Sequence, residues 1–170
     1  FNRMCGRRIA IVHEQSGVTR DRIAAPLVAD GRHFLLVDTG GLGVFMDDRN
    51  VGIFDDLIRS QVESIVEEAS HIVWMVDARD GRSPLDDEIA DLLRRGEADV
   101  TLVANKADNA AVAAAAHSEF MPLGFGDPLA LSCLHNRGVR EVVEAVTSEL
   151  PAVDETGLHE SGLRLAVVGR

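Results

Sequence analysis

Four consecutive residues carry the most specific chemistry in this chain: Asn105-Lys106-Ala107-Asp108, which follow directly on the apolar run Val100 to Ala104. A carboxylate at Asp108 can accept two parallel hydrogen bonds. Guanine offers that donor pair, a ring N–H beside an exocyclic amine, and adenine does not. A charged acceptor makes such bonds strong. The Asn105 amide can donate to a ring acceptor and tie neighbouring loops together, while the Lys106 stem can lie over a base with its ammonium in water. The position suits the chemistry, because open α/β sheets bind ligands beyond the carboxyl ends of their strands.

Three other segments stand at compatible distances and in a compatible order. Phe34 to Val37 is an apolar strand that runs into Asp38-Thr39-Gly40-Gly41. Asp38 can reach Mg²⁺ through water, and Gly41 can offer a backbone N–H to a terminal phosphate. Upstream, Gly17 to Arg22 reads G-V-T-R-D-R, in which Thr19 can supply a hydroxyl to the same metal. Downstream, Leu129 to Leu134 is a strand that ends at Ser132-Cys133, where a backbone N–H can meet the guanine carbonyl.

These segments closely resemble the translational GTPase superclass and, within it, the bacterial tandem-domain GTPase family Der (EngA). The resemblance is carried by F-N-R at Phe1 to Arg3, G-V-T-R-D-R at Gly17 to Arg22, D-T-G-G at Asp38 to Gly41, M-V-D-A-R-D-G at Met75 to Gly81, and V-A-N-K-A-D at Val103 to Asp108. It implies an α/β fold of the P-loop NTPase type, with a doubly wound, mostly parallel sheet. It implies GTP or GDP held by Asp38, Thr39, Gly40, Gly41, Asn105, Lys106, Asp108, Ser132 and Cys133, with Mg²⁺ attended by Thr19 and Asp38. It also implies GTP hydrolysis, a K⁺-assisted reaction in this family, and a partner in the large ribosomal subunit precursor. Transfer-RNA-modifying and Era-like GTPases share these motifs and are the nearest alternative. A non-catalytic interaction module is the alternative of a different class.

In the resembled family F-N-R follows the G-x-x-x-x-G-K-[ST] phosphate loop, so that loop and the strand before it are expected to lie outside this chain, and no catalytic residue is assigned. Leu165 to Arg170 resembles the strand and first P-loop residues of the family's second GTPase domain. The expected division is therefore a GTPase domain over 1–150, an acidic linker over 151–162, and the first strand of a second domain over 163–170. The family fold places a strand centrally between the one ending at Asp38 and the one ending at Asp77. Unpaired backbone there is costly, so Leu165 to Val168 is expected to pair in parallel with one or both of them.

Composition bounds the rest. A chain of 170 residues accommodates one α/β domain with a normal core. The formal net charge of -11 argues against a non-specific grip on nucleic acid, which rests on neutralising phosphates. Cys5 and Cys133 lack metal-ligand or C-x-x-C spacing and read as reduced thiols, and the six histidines share no metal spacing. No apolar run approaches a membrane span, and Phe1-Asn-Arg is not a signal peptide, so no membrane partner is expected and a bacterial cytoplasm fits best.

The elements that would position the site follow from local signals. Arg22 to Val28 and His33 to Val37 flank the turn-forming Asp30-Gly31 and predict a hairpin. Asp55 to Ala69 carries an amphipathic spacing, and His71 to Val76 is a strand with Trp74 in the core. Ser83-Pro84 opens a helix running to about Arg95 and ending at Gly96, with Asp86 and Asp87 favourable at its positive end. Asn109 caps a helix to His117. Arg137 to Leu150 is the last helix, with Val139, Val142, Val143 and Val146 buried and Pro151 ending it. His13 to Ser16 resembles a first switch loop and Gly40 to Gly43 a second. Leu42, where many GTPases carry a water-orienting Gln, either marks a hydrophobic-substituted mechanism or packs the loop.

Overall fold

The computed structural model describes residues 1–7, 23–41, 60, 62–150 and 163–169. Gly17 to Arg22 with Thr19, the expected first switch loop, Leu42 and Gly43 of the second, the start of the helix expected from Asp55, and the expected linker lie outside the described residues; Gly40 and Gly41, expected in the second switch loop, belong to a strand.

Asp30 and Gly31 take φ of 50° and 73°, the paired left-handed values that match a two-residue hairpin turn to the twist of its strands. They join β1 (Ile23–Ala29) to β2 (Arg32–Gly41) in antiparallel register, with Ala29 opposite Arg32. The other strand pairings among the described residues are parallel. The sheet also contains β3 (His71–Asp77), β4 (Asp99–Asn105), the two-residue β5 (Leu129–Ala130) and β6 (Leu163–Gly169). Its order is β1-β2-β6-β3-β4-β5.

The last strand in sequence is therefore central in space. β6 pairs with β2 from Phe34↔Leu163 to Asp38↔Val167 and with β3 from His71↔Leu165 to Met75↔Gly169. Both expected partners are taken. Leu165 and Val168 are fully buried, on opposite faces of the sheet. Completely removing such side chains from water stabilises by roughly 1.5–3 kcal/mol each.

Alternation along the central strands divides the core in two. Ile72, Trp74, Val76, Leu102 and Val168 face helices α1 (described over 62–68), α2 (Pro84–Leu93) and α3 (Ala110–Phe120). Leu36, Val73, Val103, Leu165 and Val167 face α4 (Val139–Glu149) and the N-terminal segment around Phe1 and Met4. The result is a mostly parallel sheet between two helical layers, the doubly wound arrangement the motifs imply.

Local signals set the helix starts more closely than the helix ends. Ser83 and Asp86 cap α2 reciprocally, the Asp86 carboxylate accepting from Ser83 N at 2.7 Å. Asn109 accepts from Val112 N at 2.9 Å at the start of α3. α2, however, ends at Leu93 with a right-handed cap at Arg94, not at Gly96. Gly96 lacks a side chain for a different reason: a Cβ there would collide with Val66 of α1. α3 runs past His117 to Phe120 and continues into a 3-10 turn at Met121–Leu123, because Phe120 and Leu123 are completely buried. On α4, Val142, Val146 and Thr147 are buried, whereas Val139 and Val143 are only half-buried.

Candidate functional site

The carboxyl ends of β3, β4 and β5 are stitched together by backbone. Ala78 N–H donates to Asn105 O at 2.8 Å, Leu131 N–H to Ala104 O at 2.9 Å, and Ala107 N–H to Leu131 O at 2.9 Å. This fixes the Asn105 to Asp108 turn from both sides. Within it Lys106 takes φ of 63°, a left-handed conformation costing a non-glycine residue roughly 1–2 kcal/mol. Asp108 N–H closes the turn on Lys106 O at 2.9 Å.

Each side chain of the turn then has a defined task. Asn105 Oδ1 accepts from Cys133 N at 3.2 Å, which ties the β4 loop to the β5 loop and turns the amide NH₂ into the end available to a ligand. Asp108 Oδ1 accepts the hydroxyl proton of Ser132 at 2.5 Å, and its Oδ2 is paired with the Arg79 guanidinium. His135 Nε2 stands 3.8 Å from Oδ1. The Ser132 hydrogen bond, joined by the Arg79 and His135 charges, outweighs the upward push of desolvation and holds the Asp108 carboxyl below its ordinary value. The group is thus an ionised acceptor at neutral pH, the state that recognition of a donor pair requires.

Lys106 gains a partner that its sequence does not announce. Its side chain stays more than half exposed, and its ammonium pairs with the buried carboxylate of Asp77 at the end of β3. Asp77 Oδ1 also accepts from Arg79 N at 2.8 Å and Asp80 N at 3.2 Å. Burial pushes the Asp77 carboxyl up, but the Lys106 ammonium and the two amides together hold it below its ordinary value.

Asp38, Asn105, Lys106, Asp108 and Cys133 share the wall of one cavity of about 590 Å³, with Phe1 among its other lining residues. That volume is in the range of small-molecule sites. Arg3 fastens the N-terminal segment to its rim, with Nε donating to Cys133 O at 2.8 Å and Nη2 to Leu134 O at 3.3 Å. Ser132 lies behind the wall, fully buried, and reaches the cavity through Asp108. Burial raises the Cys133 thiol, so this residue offers contact and not a thiolate nucleophile. The backbone N–H expected to meet a guanine carbonyl is already used at both positions, Cys133 N–H by Asn105 Oδ1 and Ser132 N–H by Arg137 O at 3.0 Å.

At the other end of the cavity, Asp38 terminates the regular register of β2 with β6, and the pairing shifts before Gly41 meets Gly169. Thr39 Oγ donates to Val167 O at 2.6 Å across that irregularity, so its side chain holds the strand end in place. Gly40 and Gly41 complete β2. The carboxylate of Asp38 is a hard oxygen donor of the kind Mg²⁺ accepts. The structure thus brings Asp38 and the Asn105 to Asp108 turn together, while Thr19 lies outside the described residues.

Two residues of the site were not singled out from sequence. Asp77 at the end of β3 and Arg79 in the loop after it pair with Lys106 and Asp108 in the loop after β4. The signal was present: D-x-R and K-x-D have equal spacing and opposite charge order.

The sequence model described as 50S ribosome-binding GTPase matches residues 1–106. GTPase Der of Moorella thermoacetica is 42% identical over 170 residues, which are 100% of this chain and 37% of that protein. GTPase Der of Cyanothece sp. is 41% identical over 169 residues, 99% of this chain and 36% of that protein. The chain thus spans little more than a third of the length of these curated relatives. Among solved structures, Era in complex with MgGDPNP and nucleotides 1506–1542 of 16S ribosomal RNA superposes with a TM-score of 0.73 at 21% identity, covering 94% of this chain and 54% of that one. A variant of Aquifex aeolicus Era bound to GDP and AlF₄⁻ gives 0.75 at 22% identity, with the same coverage. At these identities the likeness to Era is one of fold.

Proposed function

Because this chain belongs to the 50S ribosome-binding GTPase family, we propose that the cavity beside Asp108 holds the guanine base of GTP or GDP. The observation that carries the reading is the Asp108 carboxylate: ionised, backed by the buried Ser132 hydroxyl, and set on a cavity wall between Asn105 and Cys133. Two co-directed N–H donors of guanine satisfy it. Adenine presents an acceptor where guanine has its ring N–H, and that mismatch costs affinity.

On the phosphate side we assign Asp38, Thr39, Gly40 and Gly41, with Mg²⁺ attended by Asp38 and Thr19 and with K⁺ as a further cation of the reaction. When bound, Mg²⁺ would neutralise phosphate charge. Asp38 would hold it through its water shell, and Gly41 would supply a backbone donor. In the whole protein, which resembles GTPase Der, GTP hydrolysis would switch the site between two states during assembly of the large ribosomal subunit in the cytoplasm. The division into a domain over 1–150, a linker over 151–162 and the opening strand of a second domain over 163–170 belongs to the same proposal.

The G-x-x-x-x-G-K-[ST] sequence does not occur within these 170 residues, so most phosphate contacts of this fold class are not supplied by them. Base contacts alone must then offset a loss of ligand freedom of several kcal/mol, and the 170-residue chain is expected to bind weakly and to lack turnover.

The test is a titration of the ¹⁵N-labelled chain with GDP and, separately, with ADP. Saturable shifts at Asn105, Asp108 and Cys133 with GDP, and none with ADP at equal concentration, support the reading. Equal responses to both nucleotides, or responses confined to other residues, overturn it.

A further inference from the structure

The loops after β3 and β4 meet through two ion pairs of opposite character. Asp77 is buried, accepts two backbone amides besides Lys106, and forms a fixed support for the turn. Arg79 is different. Its backbone is anchored through its own N–H on Asp77, but its side chain is 60% exposed, lines the cavity and pairs with Asp108 Oδ2. Ser132 takes Asp108 from the buried side; Arg79, exposed and itself part of the cavity lining, takes the other carboxylate oxygen.

Resting on the guanine reading above, we propose that Arg79 is a latch on the base site, closed over Asp108 when no nucleotide is present and displaced when guanine enters. The carboxylate has about four lone-pair positions; Ser132 takes one on Oδ1 and Arg79 one on Oδ2, while a guanine donor pair requires one on each oxygen. A guanidinium already seated on Oδ2 competes for that space. The latch also keeps the ionised Asp108 paired while the site is empty, which removes the penalty of leaving a half-buried charge without a counter-ion. Because the backbone of Arg79 is fixed and only its side chain must swing, opening is a rotamer change at an exposed position, fast compared with any rearrangement of the loop.

The size of the effect follows from the exposure of Arg79. Exposed ion pairs contribute up to about a fivefold factor in an equilibrium, so the latch weakens guanine binding by roughly two- to fivefold. Salt screens it. In about 1 M salt, where the screening length is ~3 Å, the latch loosens and most of that factor disappears.

The experiment compares the 170-residue chain with its Arg79→Ala and Arg79→Lys variants, titrating GDP and ADP against each by NMR at low and at high salt. Arg79→Ala is expected to bind GDP two- to fivefold more tightly than the parent at low salt and equally at high salt. Arg79→Lys, which keeps the charge without the planar fork, is expected between the two. An Arg79→Ala chain that binds GDP as the parent does, or more weakly, overturns the latch; weaker binding would mean that the guanidinium stays and stacks on the base. If that happens while GDP is still preferred over ADP, the latch alone fails. If neither chain prefers GDP, the base-site reading fails and the latch with it.

Discussion

Ser132 donates its hydroxyl proton to Asp108 at 2.5 Å, joining the loop after β5 to the loop after β4 from beneath the cavity wall. Ser132 is completely buried and Asp108 only partly so. The hydrogen bond therefore fixes the carboxylate from behind and leaves its outer side to Arg79 or a ligand.

Replacing this support gives the first prediction. Ser132→Ala removes the largest influence that lowers the Asp108 pKa. On the proposed guanine reading, binding needs the carboxylate ionised and is expected to be lost as pH falls through the Asp108 value. In the variant that loss is expected at higher pH than in the parent. GDP titrations repeated from neutral to acidic pH check it, and coincident acid limbs would show that Ser132 does not tune Asp108.

The support under Lys106 gives the second. Asp77 is 5% exposed and its carboxyl is held below the ordinary value, so its contribution to stability is complete above about pH 4 and lost as pH falls through the folded-state value. Asp77→Asn is expected to cost about 1–2 kcal/mol at neutral pH, between an exposed and a fully buried pair, and to flatten the acid limb of the stability profile. Lys106 is the sole lysine. Amine modification at this residue, read by peptide mapping, should therefore accelerate in the variant.

Much of the scaffold was legible because its signals are local. Asp30-Gly31 dictates a tight turn, Ser83-Pro84 and Asn109 satisfy orphan amides at helix starts, and the apolar run from His71 makes a strand with Trp74 in the core. The Asn105 to Asp108 turn was legible for the same reason. Less legible was whatever depends on a distant partner. α3 extends past His117 because Phe120 and Leu123 find buried space, and Gly96 is small because Val66 of another helix approaches it. The Asp77–Lys106 and Arg79–Asp108 pairs join segments about thirty residues apart, and the matched spacing of D-x-R and K-x-D gains meaning only once the two loops are known to be neighbours. The central place of β6 is an exception: a nonlocal feature expected from the cost of unpaired backbone.

A third prediction concerns the far end of β3. His71 is 1% exposed, with Nε2 2.8 Å from Thr101 Oγ1. Burial lowers its pKa, against the opposing pull of Glu149 and Asp99. A lowered folded-state value means that the unfolded chain binds the extra proton first. Stability is thus complete above about pH 6.5 and declines as pH falls from there through the folded-state value. His71→Gln is expected to lower stability at pH 8 but to remove this part of the pH dependence. Chemical denaturation between pH 5 and pH 8 checks it.

Gly138 gives the fourth. It opens α4 at φ of 76°, and a Cβ there would strike the Ala130 carbonyl oxygen at the end of β5. Gly138→Ala combines left-handed strain with a backbone collision, and is expected to cost about 2 kcal/mol or more. The damage should spread to the Ser132–Arg137 bridge beside it. An unchanged denaturation midpoint would mean that the turn relaxes freely.

The central claim, that Asp108 reads a guanine base, is tested most directly by changing one functional group on each partner. Asp108→Asn places an amide donor where the carboxylate accepted, and xanthine carries a second carbonyl where guanine carries its amine. Titration of the parent and the variant with GDP and with xanthosine diphosphate is expected to show a crossed preference. The variant should lose GDP affinity by roughly tenfold to a hundredfold, the range for one well-made charged hydrogen bond, and gain affinity for the xanthine nucleotide. A variant that loses GDP without gaining xanthosine diphosphate, or that binds GDP as the parent does, would contradict the account.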